Sequence, residues 1–215
     1  MSLNEAENVW TIVVAGGNGS RIGTAKQFAQ LGSRRVIDHA TDVAALVSKG
    51  VIVVVPQADV AAEGGVAGGA TRSESVRAGL AAIPDEATII CVHDAARPFA
   101  SAQLFAAVIR AVREGADAAI PGIAVTDTIK RIDGDNVVVE TPARAALVAV
   151  QTPQAFRASV LRAAHDSGGD ATDDAALVEA CGCRVIVVEG EILNRKITLP
   201  DDLAWARELA AKERR

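Results

Sequence analysis

A glycine-rich segment near the N-terminus carries two cations at a spacing suited to an anionic ligand. The segment AGGNGSRIGTAKQF, residues 15–28, follows an apolar run and contains four glycines, Arg21 and Lys26. Backbone N–H groups of a glycine turn can approach phosphate oxygens, and two cations can neutralise their charge. The glycine spacing by itself fits equally well a surface turn with two solvated cations.

Two familiar phosphate loops do not fit this spacing. The dinucleotide fingerprint requires G-x-G-x-x-G, but here Gly17 and Gly19 are followed by Gly23, one residue late. This weakens the hypothesis of an NAD-binding dehydrogenase. A P-loop requires Gly-Lys-Ser/Thr, and Gly23 is instead followed by Thr24, which excludes a P-loop.

Three further polar segments follow or adjoin apolar runs. They are GGATRSESV at 68–76, HDAARPF at 93–99 and GEILNRKIT at 190–198. In an open parallel sheet, ligands bind beyond the carboxyl ends of the strands, so these positions are candidates for a site. An ordinary helix N-cap in the first segment and an ion pair between Asp94 and Arg97 in the second are the structural alternatives.

The sequence lacks the residues that several other chemistries need. His39, His93 and His165 show no metal-binding spacing, and neither a G-x-S-x-G nucleophile elbow nor an obvious glycosidase acid pair is present. We therefore take His93 as structural. If the attacking group is already an anionic phosphate, cations and a metal ion suffice, and the protein needs no base. The residues present fit phosphoryl or nucleotidyl transfer.

Composition predicts one domain spanning residues 1–215. Half of the residues are hydrophobic, and the net charge of −5 gives no general attraction for nucleic acid or an anionic membrane. No apolar stretch reaches membrane-spanning length, and MSLNEAENVW does not resemble a signal peptide, which predicts a cytoplasmic protein. The cysteines, Cys91, Cys181 and Cys183, do not suggest a zinc site or a disulfide framework.

Continuous apolar runs alternate with helical patterns. A mostly parallel twisted sheet with helices on both faces is therefore predicted. The strands are expected at 11–15, 51–55, 88–92, 118–125 and 184–188. A helix is expected at 101–114 with Ser101 as its N-cap, and another begins at Pro200. The Ala- and Gly-rich residues 58–70 are predicted to form a loop.

One segment departs from this alternation. Residues 127–144 contain two strand-like stretches around the turn DGDN, which predicts a projecting β-hairpin arm at about 126–146. A two-stranded ribbon is barely stable alone, so we expect the arm to mediate a homodimer.

Taken together, the motifs resemble those of the 2-C-methyl-D-erythritol 4-phosphate cytidylyltransferase family of the non-mevalonate isoprenoid pathway. The resemblance runs nearly end to end. It rests on the glycine-rich loop with KQF, then TRSESVRAGL, VHDAARPF, VTDTIKR, QTPQAFR, TDDAALVEACG and NRKITLPDDL, in that order. It implies a Rossmann-like nucleotidyltransferase fold of the glycosyltransferase-A type and transfer of a cytidylyl group from CTP to a polyol phosphate.

The resemblance also implies roles for individual residues. Catalysis would fall to Arg21, Lys26, Arg144 and Lys196. CTP would be bound by Ala15, Gly16, Gly17, Gly19, Gly69, Arg72, Ser75, Asp94 and Ala95. The acceptor would be bound by Arg97, Thr128, Arg144, Thr152 and Lys196. Asp94 is the candidate ligand for Mg²⁺, and in this family the hairpin is exchanged across a homodimer.

Three features depart from the family pattern, and rival functions remain open. Ala25 stands where the family usually has proline, and the loop before Lys26 is shorter than the common pattern, so both bear on CTP affinity. Glu191 stands where a small residue is commoner, which would add negative charge near the phosphates. A ribitol 5-phosphate cytidylyltransferase shares the nucleotide half of the site, but usually reads Gly-Val where this chain has Ala95-Ala96. A non-catalytic nucleotide-binding dimer would be expected to lose Lys26 or Lys196.

Overall fold

The central sheet carries all five predicted strands. A computed structural model describes residues 8–16 and 26–212. The predicted runs form β1 (Val9–Val14), β4 (Gly50–Val55), β6 (Ile89–Asp94), β7 (Ala118–Ala124) and β12 (Val185–Glu189). Short apolar runs that are buried on both faces favour strands of a parallel sheet, and these five are parallel to one another.

Three short strands complete the eight-stranded sheet. They are β5 (Val66–Ala67), β10 (Val148–Val150) and β11 (Gln154–Arg157). The order is β10-β7-β11-β6-β1-β4-β5, and β12 lies outside this path and pairs in parallel with β7. β10 and β11 run antiparallel to β7, so six strands are parallel and two are antiparallel. The predicted mostly parallel sheet is confirmed.

Helices cover both faces of the sheet, as predicted. On one face, α1 (Val36–Val47) and α4 (Ala102–Arg113) pack against side chains such as Val13 and Cys91. On the other face, α3 (Arg72–Ala81), α5 (Ala158–Asp166) and α6 (Asp174–Ala180) pack against Ile12 and Val92. Successive strand residues therefore point into different cores, as the two-residue period of a strand requires.

The predicted helix boundaries are confirmed where they fall on described residues. The Ser101 hydroxyl accepts a hydrogen bond from the backbone N–H of Leu104 and caps α4. Helix α7 (Pro200–Lys212) begins with the predicted proline and has Asp201 and Asp202 in its first turn. It packs with Leu31 of the two-residue strand β2 (Gln30–Leu31) and with Ile197 in a third hydrophobic cluster, and β2 pairs with β3 (Arg34–Arg35).

The predicted loop at 58–70 is partly wrong. Val60–Glu63 form the single-turn helix α2, and β5 pairs in parallel with β4 at the edge of the sheet. The helix ends at Gly64, which adopts φ +66°, a left-handed conformation that glycine reaches without strain. Glycines end these short elements, and a segment rich in glycine is easily mistaken for a loop when only the sequence is available.

The hairpin arm is present at the predicted position. β8 (Arg131–Ile132) pairs antiparallel with β9 (Val138–Glu140). The Asp133 carboxylate accepts hydrogen bonds from the N–H groups of Asp135 and Val137 and shapes the turn between them. Every residue from 126 to 141 is exposed. Helices long and apolar enough to cross a membrane are absent from residues 8–16 and 26–212.

Candidate active site

The candidate site lies where the strand order reverses. β1 pairs with β4 on one side and with β6 on the other, so its carboxyl end faces two crossovers that lead in opposite directions. Val14 and Asp94, the last residues of β1 and β6, are register partners. Such a switch point leaves a crevice at the carboxyl edge of the sheet, where ligands of doubly wound folds bind.

The larger cleft in this crevice has a volume of about 380 Å³. That volume lies within the range of about 300–1,000 Å³ typical of small-molecule sites. Nine of the predicted residues line it: Ala15, Gly16, Lys26, Gly69, Arg72, Ser75, Asp94, Ala95 and Lys196. The predictions for Gly17, Gly19 and Arg21 lie outside the described residues. The structure therefore gathers residues from separate motifs at one cleft, while their individual roles stay predictions.

One wall of the cleft is the N-terminus of α3. Thr71 caps the helix by accepting from the N–H of Glu74, while the Glu74 carboxylate accepts from the N–H groups of Ala70 and Thr71. A Cβ on Gly69 would lie 2.3 Å from the Cβ of Glu74, so only glycine fits this approach. The ordinary N-cap alternative is thus correct for the cap itself, and it places Arg72 at the first position of the helix, facing the cleft.

Asp94 is the electrostatic centre of the cleft. Its Oδ2 lies 2.7 Å from Lys196 Nζ, and its Oδ1 lies 3.5 Å from Arg72 Nε. Burial alone would raise the pKa of Asp94, but the Lys196 ammonium and the Arg72 guanidinium outweigh it, so the pKa lies well below its usual range. Asp94 is therefore ionised at neutral pH and holds two cations beside the space where a ligand would lie.

A buried carboxylate behind the cleft fixes Arg72. Asp174, at the start of α6, lies 2.7 Å from Arg72 Nη1 and 3.0 Å from His165 Nε2. Burial lowers the pKa of Arg72, but Asp174 and Asp94 raise it by more, and the net pKa is raised. Arg72 thus links the surface of the cleft to the second core of the domain.

A second, smaller cleft of about 210 Å³ adjoins the first. It shares Arg72, Asp94 and Lys196 with the larger cleft and adds Arg97 and Thr152, both predicted to bind the acceptor. The shared residues form a boundary at which two ligands would meet. Because a transfer reaction needs its two substrates in contact at one point, this arrangement suits group transfer better than storage of one ligand.

His93 connects the two loops that border the smaller cleft. The Thr152 hydroxyl accepts from the N–H of Asp94 at 3.0 Å and lies 3.1 Å from His93 Nδ1, while His93 Nε2 lies 3.2 Å from the carbonyl of Arg97. Burial lowers the pKa of His93 to about 4, so the ring is neutral at pH 7. In the arrangement that satisfies every group, Thr152 donates to Nδ1 and Nε2–H donates to Arg97. This agrees with a structural role for His93.

Two predicted residues lie elsewhere in the chain. Thr128 and Arg144 are exposed on the hairpin arm and line neither of the two clefts formed by the described residues. Arg144 Nη1 instead donates to the carbonyl of Thr126 at 2.6 Å, at the base of the arm.

The departure at Glu191 also has a structural partner. Its carboxylate accepts from both the N–H and the hydroxyl of Ser101, at the N-terminus of α4, and it lines neither cleft. A carboxylate is favourable at a helix N-terminus. The Glu191 carboxylate therefore caps α4 and does not point its charge into either cleft, contrary to the expectation from the sequence.

Sequence reasoning missed several buried polar residues around the site. Asp174, Gln151 and Asn194 are each at most 5% exposed, and all lie within quoted motifs. Only Gln151 carried a sequence signal, as a polar residue directly after the apolar run at 147–150. Spacing alone gave no indication of which partner each residue would find.

The metal prediction rests on a single carboxylate. The described residues contain no group of three or more His, Cys, Asp or Glu side chains that could hold a metal ion, and Asp94 is the only acid among the described residues lining the larger cleft. Mg²⁺ commonly binds one or two carboxylates together with substrate phosphates and water. The residues therefore fit an ion that arrives with a nucleotide, not an all-protein cage.

Comparison with known proteins shows consistent similarity. The family model IspD, 2-C-methyl-D-erythritol 4-phosphate cytidylyltransferase, matches residues 9–211. A 2-C-methyl-D-erythritol 4-phosphate cytidylyltransferase of Nocardia farcinica is 43% identical over 96% of this chain and 97% of its own. The crystal structure of such an enzyme from Thermus thermophilus is similar with a TM-score of 0.80 and 35% identity, covering 93% of this chain and 98% of that one.

Some relatives are longer. A bifunctional enzyme IspD/IspF of Nitratidesulfovibrio vulgaris is 40% identical over 91% of this chain but only 56% of its own length. The chain thus spans little more than half the length of the bifunctional relatives that it matches.

Proposed function

The chain belongs to the IspD family, the 2-C-methyl-D-erythritol 4-phosphate cytidylyltransferases, and from this premise we propose that it transfers the cytidylyl group of CTP to 2-C-methyl-D-erythritol 4-phosphate. Pyrophosphate is the second product, and the reaction serves isoprenoid precursor biosynthesis. The observation that carries the proposal is the pair of adjoining clefts that share Asp94, Arg72 and Lys196.

In the proposed mechanism, the acceptor phosphate is the nucleophile. One of its oxygens forms a bond to the α-phosphorus of CTP as the bond to the β-phosphate oxygen breaks, and pyrophosphate leaves with that electron pair. The phosphate is already an anion, so no protein base is needed, which agrees with the neutral, enclosed His93. Repulsion between two anionic substrates is the main obstacle, and preorganised cations oppose it.

The cations divide between the two substrates. Lys26 lines only the larger cleft, Arg97 lines only the smaller one, and Lys196 lies at their boundary. We assign Lys26 to the triphosphate, together with Arg21, which lies outside the described residues. Lys196, held 2.7 Å from Asp94, orients the acceptor phosphate toward the α-phosphorus.

We further propose that Mg²⁺ assists the reaction. Asp94 and the triphosphate oxygens would hold the ion, which would offset the charge that develops on the phosphates. Support comes from the position of Asp94 in the larger cleft.

The same proposal includes a homodimer formed through the arm. The arm exposes several apolar side chains, among them Ile132, Val137, Val138 and Val139, each at least 46% exposed. Contiguous exposed apolar residues favour burial against a partner. In a dimer, Thr128 and Arg144 of one subunit would reach the acceptor cleft of the other, which accounts for their distance from both clefts of their own chain.

The free cysteines Cys91, Cys181 and Cys183 support a cytoplasmic location, because disulfides are rare in a reducing compartment.

The direct test measures pyrophosphate release from purified protein with CTP, Mg²⁺ and 2-C-methyl-D-erythritol 4-phosphate. Lys196→Ala should lose most of its activity, whereas Lys212→Ala, on the exposed end of α7, serves as the matched control and should keep it. The absence of pyrophosphate release by the wild-type protein would disprove the proposed function.

Mixed dimers test the arm. Arg144→Ala and Lys196→Ala should each retain only a small residual rate alone, but a mixed dimer of the two variants contains one site built from two intact contributions. Mixing after reversible dissociation should therefore recover part of the wild-type rate. No recovery in a verified mixed dimer would show that the arm does not serve the other subunit.

A further inference from the structure

The loop that carries Lys196 is joined to the strand that returns from the arm by two buried amides. Gln151 directly follows β10 and is 5% exposed, while Asn194 lies two residues before Lys196 and is fully buried. Neither residue was singled out from the sequence. Their hydrogen bonds show what they hold in place.

The Gln151 side chain uses both ends of its amide on this loop. Its Nε2 donates to the carbonyl of Glu191 at 2.9 Å and to the carbonyl of Asn194 at 3.2 Å. Its Oε1 accepts from the N–H of Glu191 at 3.1 Å and from Asn194 Nδ2 at 3.3 Å. Both hydrogens of the amide are therefore engaged, and little capacity remains for a substrate.

Asn194 completes the connection from the loop side. Its Nδ2 donates to the carbonyl of Thr152 at 2.8 Å, and its own carbonyl accepts from Arg97 Nη1 at 2.8 Å. Asn194 thus contacts both the backbone of Thr152 and the guanidinium of Arg97, two residues that line the smaller cleft.

The backbone at Gly190 packs closely against Gln151. A Cβ at Gly190 would lie 2.8 Å from Gln151 Oε1 and 3.1 Å from the Gly122 carbonyl oxygen. On the far side of the loop, the N–H of Ile197 donates to the carbonyl of Ala96 at 2.8 Å. The backbone at Lys196 is therefore anchored on both sides, and from it the side chain reaches Asp94 at 2.7 Å.

We infer that Gln151 and Asn194 are positioning residues that set the place of Lys196 between the two substrates. This inference rests on the proposed function and extends it to residues that do not react. Lys196 is 43% exposed as a side chain, so without a fixed backbone its flexible stem has many alternative positions. A displacement of about 1 Å can cost about a hundredfold in rate, so small changes in the pair are consequential.

The main test uses Gln151→Glu, which keeps the shape of the side chain, loses the two donors to the carbonyls of Glu191 and Asn194, and adds a negative charge beside the smaller cleft. The neutral variant Asn194→Ala separates the loss of these hydrogen bonds from the effect of that charge. We expect kcat/KM for the acceptor to fall at least about tenfold, with the dissociation constant of CTP changed less than about twofold. Asn194→Ala, which loses both side-chain donors, should show the same split. If either variant weakened CTP binding by as large a factor as it lowered kcat/KM for the acceptor, the inference would be overturned.

A double-mutant cycle separates positioning from general damage. If Gln151 acts through Lys196, Gln151→Glu should have less than about a threefold further effect in the Lys196→Ala background. A further loss as large as that in the wild-type background would overturn the inference. The stability control is Arg162→Gln, which removes hydrogen bonds to the carbonyls of Leu80, Ile83 and Pro84. It should lower Tm and leave kcat/KM unchanged.

A crystal structure of Gln151→Glu gives a readout that does not depend on the reaction. We expect the Lys196 Nζ–Asp94 Oδ2 distance to lengthen beyond hydrogen-bonding range, compared with 2.7 Å in the wild-type chain. An unchanged distance would overturn the inference, whereas an inactive wild-type chain would overturn only the proposed function.

Discussion

Asp174→Asn tests whether the buried carboxylate behind the cleft holds Arg72. The substitution keeps the size of the side chain and removes its charge, so the Arg72 guanidinium loses the negative charge of its 2.7 Å partner. His165, 3.0 Å from the same carboxylate, loses its charged partner as well. The expected result is a less stable protein with weaker CTP binding, because Arg72 lines the larger cleft.

The size of the effect follows from burial. The Asp174 side chain is 1% exposed, and removing one partner of a buried ion pair costs about 3–5 kcal/mol. Arg72 keeps Asp94 at 3.5 Å, so we expect the lower end, about 3 kcal/mol in the free energy of unfolding. At about 2–4 °C per kcal/mol for a chain of this length, Tm should fall by about 6–12 °C.

The matched control is Asp42→Asn, which removes the same charge from the same kind of pair. Asp42 pairs with Arg34, but these side chains are 46% and 49% exposed. An exposed pair contributes about 0–1 kcal/mol, so Tm should fall by less than about 4 °C. Calorimetry gives both values. A decrease in Tm for Asp174→Asn no larger than that for Asp42→Asn would refute the reasoning.

Three further predictions concern single residues. Lys26→Ala should lower kcat about a hundredfold or more with a smaller change in CTP binding, because the ammonium acts most on charge that develops in the transition state; near wild-type turnover would contradict its assignment. His93 has a pKa of about 4 in the folded chain and about 6.5 when unfolded, so the unfolded form binds a proton first as pH falls. From this group alone the free energy of unfolding should be about 2 kcal/mol lower at pH 5 than at pH 8. Urea titrations should show that difference reduced in His93→Gln, and an equal pH dependence in both proteins would refute the shift. Burial raises the pKa of Cys91 to about 12, so a thiol reagent should modify the exposed Cys181 in the native protein and leave Cys91 intact until unfolding. Rapid native labelling of Cys91 would contradict this.

Much of the sheet was predictable because its strands carry a strong local signal. The runs TIVVA and TIICV are apolar almost throughout, and burial on both faces leaves them only the position of a central strand. In contrast, β11 was missed although it lies between β6 and β7. Its sequence QAFR contains two polar residues, and the buried Gln154 donates from its Nε2 to the Asp173 carboxylate at 2.7 Å. That partner is distant in the sequence.

The sequence predicted which residues belong to the candidate site, but not which of them contact one another. Asp94 and Lys196 each lie in a recognisable motif, so both were named, but their 2.7 Å contact joins two motifs that are far apart in the chain. Asp174, 102 residues from Arg72, was overlooked because an acid in the first turn of a helix is ordinary. Long-range pairs of this kind depend on the fold, and hydrophobic periodicity carries no information about them.

The most direct test of the central claim is a competition between two acceptors. Purified protein would receive CTP, Mg²⁺ and equal concentrations of 2-C-methyl-D-erythritol 4-phosphate and ribitol 5-phosphate, with both diphosphocytidyl products quantified by phosphorus NMR and mass spectrometry. Our account predicts that the methylerythritol product predominates and that pyrophosphate forms in equal amount. Predominance of the ribitol product, or CTP consumption without either product, would contradict it.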